Sequence, residues 1–137
     1  MRRILSLLAL GAAAATTAPS AVAAPPSVQV VIRHQKRGCH AWALNGGAYR
    51  PTQRLRTSPG TILTFTDDDV MPHRLVQLSG PRVTIRAANM HTPGATASLQ
   101  VFAKGTYVFR TRAGEDYMPG MKTIGEDNVL RLVVTVR

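Results

Sequence analysis

The only cysteine of this 137-residue chain stands directly before a histidine, in Gly38-Cys39-His40-Ala41-Trp42. A thiolate is a soft metal ligand and an imidazole an intermediate one, a pairing suited to copper. The plain alternative for Cys39 is a small buried hydrophobe, the role free cysteines often play. A third use, as a nucleophile, needs an imidazole that meets the sulfur across space. Cys39 with His73 supplies the two residue types, yet no oxyanion device and no third orienting group is visible in the sequence. Nucleotide-binding loops, paired-carboxylate motifs and zincin helices are also missing from it. The chain therefore reads as a non-enzyme. Asp67-Asp68-Asp69 with Glu126-Asp127 offers a hard oxygen set for calcium, but without EF-hand spacing or a repeat. These acids are expected to be solvated turns that pair with arginines, contributing little each.

What an unpaired thiol means depends on its compartment. Met1-Arg2-Arg3 is a basic start, Ile4 to Leu10 is apolar, and an Ala-rich stretch leads to Ala21-Val22-Ala23. That order fits a cleaved signal peptide over 1–23, leaving a single domain over 24–137. The apolar run is broken by Thr16, Thr17, Pro19 and Ser20, and a spanning helix needs about 20 apolar residues, so the domain is expected to have no transmembrane segment. The protein is then exported, periplasmic or extracellular. There a lone thiol is a liability unless a metal, a partner or a buried site holds it.

The formal net charge is +10, and loss of Arg2 and Arg3 with the leader lowers it by two. All acids fall in Asp67-Asp68-Asp69, Glu115-Asp116 and Glu126-Asp127. Ala24 to Thr66 holds no acid but carries Arg33, Lys36, Arg37, Arg50, Arg54 and Arg56. Such a field favours an anionic partner. Export argues against nucleic acid and for lipid head groups, acidic wall polymers or an acidic redox protein. A soluble basic surface with no specific partner is the plain alternative.

The elements that must position these residues are short alternating runs between turn signals. Val28, Val30 and Ile32 alternate, and Cys39 to Leu44 is closed by Asn45-Gly46-Gly47. Ser58-Pro59-Gly60 turns into Thr61 to Thr66, and His73 to Leu78 follows Pro72. Val83 and Ile85 alternate, Asn89 to Thr96 reads as loop, and Leu99 and Val101 alternate. Tyr107 and Phe109 alternate within Thr106 to Arg112, and Leu130, Leu132, Val134 and Val136 make the clearest period of two. Spacing of two, β-branched enrichment and regular turns predict an all-β sandwich. Gly114 to Asp127 reads as a long loop, of the kind that often carries function.

Within this frame, Pro59-Gly60-Thr61-Ile62-Leu63-Thr64-Phe65-Thr66 runs into the aspartates and then Val70-Met71-Pro72-His73. Proline fixes its own φ and restricts the residue before it, so His73 enters its strand from a preset direction. The segment resembles the first-histidine region of the cupredoxins, the small β-sandwich copper proteins. Lys104-Gly105-Thr106-Tyr107-Val108-Phe109 is similar to their Gly-x-Tyr-x-Phe strand, and Val129 to Val136 fits their last strand. The resemblance covers roughly residues 55–137. It implies a single Greek-key β-sandwich, export, and copper binding or electron transfer with a redox or copper-exchange partner.

The chain departs from that family where the ligand cysteine should follow the Gly-x-Tyr-x-Phe strand. Thr111 stands there, flanked by Arg110 and Arg112, and the loop after it holds Met118 and Met121 but no cysteine or histidine. The usual two-histidine, one-cysteine site cannot be built from the usual positions. A relocated site for one copper ion is expected instead. His73 is carried over from the family, Cys39 and His40 are the new ligands, and Met118 or Met121 is a weak thioether, with His91 in reserve. Neighbours on a regular strand point to opposite faces, so Cys39 and His40 can share a metal only if the strand is irregular near Gly38. Trp42 is expected to fill the core or shield the site. Two functions stand side by side. One is an exported, monomeric copper protein in electron transfer or copper handling. The other is a metal-free module of the same fold that binds an anionic or protein partner through its basic surface.

Overall fold

The structure is a computed structural model that describes residues 22–35, 40–113 and 130–137. The described residues form nine strands and no helix. The strands are β1 (Ser27–His34), β2 (His40–Leu44), β3 (Thr52–Thr57), β4 (Thr61–Asp68), β5 (His73–Ser79), β6 (Asn89–Met90), β7 (Thr96–Val101), β8 (Gly105–Ala113) and β9 (Arg131–Val136). They make two sheets. Sheet A has the order β2-β1-β4-β7 and sheet B the order β3-β9-β8-β5-β6. Pairing is antiparallel except for β1 with β4 and β3 with β9, which run parallel.

Alternation decides what faces inward. In β4, Thr61, Leu63, Phe65 and Asp67 are buried while the residues between them are not, because successive side chains point to opposite faces of a sheet. Val28, Val30 and Ile32 of β1 and Leu132, Val134 and Val136 of β9 do the same. The two inner faces meet around Trp42, Phe65, Tyr107 and Phe109, with Trp42 and Phe65 ring centroids 6.2 Å apart. Trp42 is thus a core residue. Asn45 at φ 47° and Gly46 at φ 73° carry the turn after β2, and the Asn45 side chain accepts a 2.8 Å hydrogen bond from the Gln29 amide.

Three elements differ from the sequence expectation. β3 is an edge strand whose polar residues Thr52, Arg54 and Arg56 face solvent, so it lacks the apolar alternation that marks a buried strand. Asn89–Met90, read as loop, pairs with His73–Arg74. Val83 and Ile85 do pack on the core, but their segment makes only the isolated Arg86–Ser98 bridge rather than a strand. No described helix is long and apolar enough to cross a membrane.

Candidate metal centre

Period-two parity brings the chemistry to one end of the sandwich. In the β1–β2 ladder Val30 faces Leu44, Ile32 faces Trp42 and His34 faces His40. Directly opposed residues share a face of the sheet, so His40 continues the buried row begun by the apolar pairs, and His34 lies on the same face but exposed at the end of its strand. On the other side of β1, Ile32 faces Asp67 and Arg33 faces Asp68, and one further step sets Asp69 beside His34. Ligand atoms of His34, His40 and Asp69 all lie within 4.8 Å of one another. On sheet B, His73 opens β5 directly after Pro72 and is paired with Met90 of β6. The two sheets meet here: the His40 and His73 rings are 4.8 Å apart, edge to face at 89°.

The centre of this end is a carboxylate. Asp69 Oδ2 accepts hydrogen bonds from His40 Nδ1 at 2.6 Å and from His73 Nε2 at 3.3 Å, and Oδ1 accepts the Met71 amide at 3.1 Å. His40, His73 and Asp69 are all buried. Burial by itself pushes the Asp69 carboxyl up, but the hydrogen bonds from His40, His73 and the Met71 amide outweigh it and hold the group below the usual carboxylate range. Asp69 is therefore ionised, and each imidazole donates to it. In the neutral form of each ring, that donation leaves the lone pair on Nε2 in His40 and on Nδ1 in His73. His73 Nδ1 is buried and has no hydrogen-bond partner among the described residues.

Asp67 behaves in the opposite way. It is fully buried, its Oδ1 accepts the Asp69 amide at 3.1 Å, and its Oδ2 has no hydrogen-bond partner among the described residues. Burial pushes its carboxyl up to about 6, a rise that the nearby His73 only partly offsets. The acid cluster is thus not the solvated turn that the sequence implied. Only Asp68 is: it faces outward and takes a 2.9 Å hydrogen bond from Arg33 Nε, while Arg33 also lies 5.4 Å over the Tyr49 ring. Strand parity sends Asp67 and Asp69 inward and Asp68 out.

Of the residues singled out from the sequence, the structure brings His40 and His73 together. Cys39, covalently adjacent to His40, and Met118 and Met121 lie outside the described residues. Thr111, where the sequence resemblance would place a cysteine, is buried in β8 and paired with Leu75, two residues in from His73. Three residues join that the sequence did not single out for this end. Asp69 is the shared acceptor, and His34 ends a strand rather than sitting in a loop. Met90, fully buried in the row of His73, is the described methionine placed in register with it. A cavity of about 470 Å³ lined by Ile62, Arg82, Arg86, Gln100 and Phe102 contains no imidazole or carboxylate and belongs elsewhere on the molecule.

The donor chemistry fits a soft or borderline cation. His73 Nδ1 is buried with no hydrogen-bond partner among the described residues, and a second imidazole stands beside it. A carboxylate that orients metal-binding histidines from behind is a recurrent device. Asp69 fits that role better than direct ligation. Two ligand atoms on one metal at about 2.1 Å in tetrahedral geometry stand about 3.4 Å apart, whereas His40 and Asp69 are at hydrogen-bonding distance, 2.6 Å.

The architecture these strands define is a two-sheet β-sandwich with a histidine–carboxylate cluster at one end. No family model and no curated protein sequence matches the chain. Among solved structures it is similar to a purple cupredoxin from Nitrosopumilus maritimus, at 19% identity over 80% of this chain and 98% of that one, with a TM-score of 0.45. It is also similar to a methionine-to-alanine variant of amicyanin in its Cu(I) form, at 18% identity over 78% and 80% of the two chains and a TM-score of 0.41. A multicopper oxidase matches at 17% identity over 81% of this chain and 41% of its own, with a TM-score of 0.48. Likeness of this degree does not carry a ligand set from one chain to another.

Proposed function

We propose that this chain binds one copper ion at the end of the sandwich where His40 and His73 meet, and that it acts in electron transfer or copper handling outside the cytoplasm. The observation that carries the proposal is the pair of buried imidazoles, one from each sheet, held by a single ionised carboxylate with the His73 Nδ1 lone pair left over. His40 Nε2 and His73 Nδ1 are the proposed nitrogen ligands, Cys39 the thiolate, and Met118, Met121 or the in-register Met90 the thioether. Copper in such a set supplies a one-electron couple. The chain's part is to orient both rings through Asp69, to keep water away by burial, and to bring one ring from each sheet to the same point. In this proposal residues 1–23 are a signal peptide, 24–137 the exported domain, and a redox or copper-exchange protein the partner.

Loading with Cu(II) and recording optical and electron paramagnetic spectra tests this. The expected result is one copper per chain with a thiolate charge-transfer band that disappears in Cys39→Ser. No binding, or binding and spectra unchanged in a Cys39→Ser, His73→Ala double variant, refutes it.

A further inference from the structure

The outer face of sheet B is an arginine field. Leu132 and Phe109 oppose each other inward, so their neighbours Arg131 and Arg110 oppose each other outward. Leu75 and Thr111 oppose each other inward, so Arg74 and Arg112 do the same outward. Arg54 and Arg56 of β3 lie beside Val133 and Thr135 of β9 on this outer side. Six arginines from four neighbouring strands therefore share one face, which spans about 15 Å across the strands. Like charges directly opposite in a sheet are destabilising, and this face carries two such pairs. It holds no carboxylate among the described residues, whose acids are Asp67, Asp68 and Asp69 at the far end of β4. Arg110 and Arg112 each have a buried Nε with no hydrogen-bond acceptor among the described residues.

We infer that this face docks the protein onto an anionic phospholipid surface. The inference stands apart from copper binding. A guanidinium is a planar fork that matches phosphate oxygens two at a time, and the described part of the face uses arginine throughout with no lysine. A flat, two-dimensional array of cations is complementary to a flat array of head groups. Protein hot spots are built around aromatic side chains as well as arginine, and no aromatic residue of these strands faces outward; the outward apolar residues are Val76, Val133, the buried Val108 and Leu78, half-exposed at the β5 bulge. A duplex groove admits a helix or a narrow ribbon rather than a broad sheet. With no described helix able to span a bilayer, the attachment is peripheral and electrostatic, and salt screens it.

The test is co-sedimentation of the full chain with phosphatidylglycerol/phosphatidylcholine vesicles and with pure phosphatidylcholine vesicles. Binding is expected only to the anionic vesicles, with loss at 0.5 M salt on the order expected from a Debye length of a few ångströms. The triple variant Arg74→Gln, Arg110→Gln, Arg112→Gln is expected to bind on the order of 100-fold more weakly, because each arginine near such a surface gives roughly 5-fold. A control with the same charge change elsewhere, Arg82→Gln, Arg86→Gln, Lys104→Gln, is expected to keep most of the affinity. Circular dichroism checks that both are folded. Equal losses in the two triple variants reduce the effect to net charge and overturn the inference, as does failure to bind anionic vesicles. Tighter binding to polyglutamate or to duplex DNA than to the vesicles overturns it in favour of an acidic protein or a nucleic acid.

Discussion

Replacing Asp69 by asparagine removes one charge and leaves the shape of the site almost intact. In the native protein Oδ2 serves two imidazoles, at 2.6 and 3.3 Å, and Oδ1 serves the Met71 amide at 3.1 Å. Asparagine keeps an oxygen for Met71 but turns its NH2 toward two nitrogens that both donate. An imidazole that keeps its tautomer meets this NH2 donor to donor, and one that changes it moves its proton to the opposite ring nitrogen, which in His73 is the buried Nδ1 with no partner among the described residues. The short bond to His40 is charge-assisted and worth about 1.5–3 kcal/mol, and an orphaned buried donor costs about 1–3 kcal/mol more. The expected destabilisation of the metal-free protein at neutral pH is about 3 kcal/mol, read from urea unfolding with unchanged slope. The sign with pH is fixed by the direction of the shift. Asp69 ionises more readily in the folded than in the unfolded chain, so its contribution is fully present above the unfolded carboxylate range, about pH 4, and is lost as pH falls through the lower folded value. The gap between native and variant should therefore be widest near neutrality and close on acidification. A variant within 0.5 kcal/mol of the native protein at pH 7, or a gap that does not narrow toward pH 3, refutes the assignment of Asp69 as the ionised hub.

Asp67→Asn should act with the opposite sign. The folded carboxyl is pushed up to about 6 by burial, so its ionisation penalises the folded state above that pH and not below about pH 4; the variant should gain up to about 3 kcal/mol at pH 7.5 and nothing at pH 4, measured by urea midpoints at the two pH values. Met90→Leu conserves volume in a fully buried position and should cost under about 1.5 kcal/mol in the metal-free protein; a shifted copper spectrum or potential in that variant would identify Met90 as the thioether, and an unchanged one returns that role to Met118 or Met121.

Much of the sandwich was legible because its strands obey one rule. β1, β4, β7, β8 and β9 alternate apolar and other residues, and a half-buried strand has to. β3 was not legible because an edge strand with one face in solvent can be built from Thr52, Arg54 and Arg56, and β6 because two residues carry no period. The site divided along the same line. His73 was marked by its preceding proline and His40 by its neighbouring thiol. Asp69 is hidden because three aspartates in a row read as a solvated turn; continuing the parity of Thr61, Leu63 and Phe65 through the acids places Asp67 and Asp69 inside. His34 needed the β1–β2 register, which depends on a cross-strand pairing that no local pattern in either segment reveals.

The parallel pairing of β3 with β9 also governs when this molecule can fold. β9 lies between β3 and β8 inside sheet B, although it is the last of the described strands in chain order. Until residue 136 is available, β3 has no sheet partner and one edge of β8 is open. Contacts between distant parts of a chain form slowly, because loop closure must precede the reward. A growing chain of this order cannot complete the wall that carries His73 before its last strand arrives. Sheet B therefore stays open until β9 has been made and closes only after it.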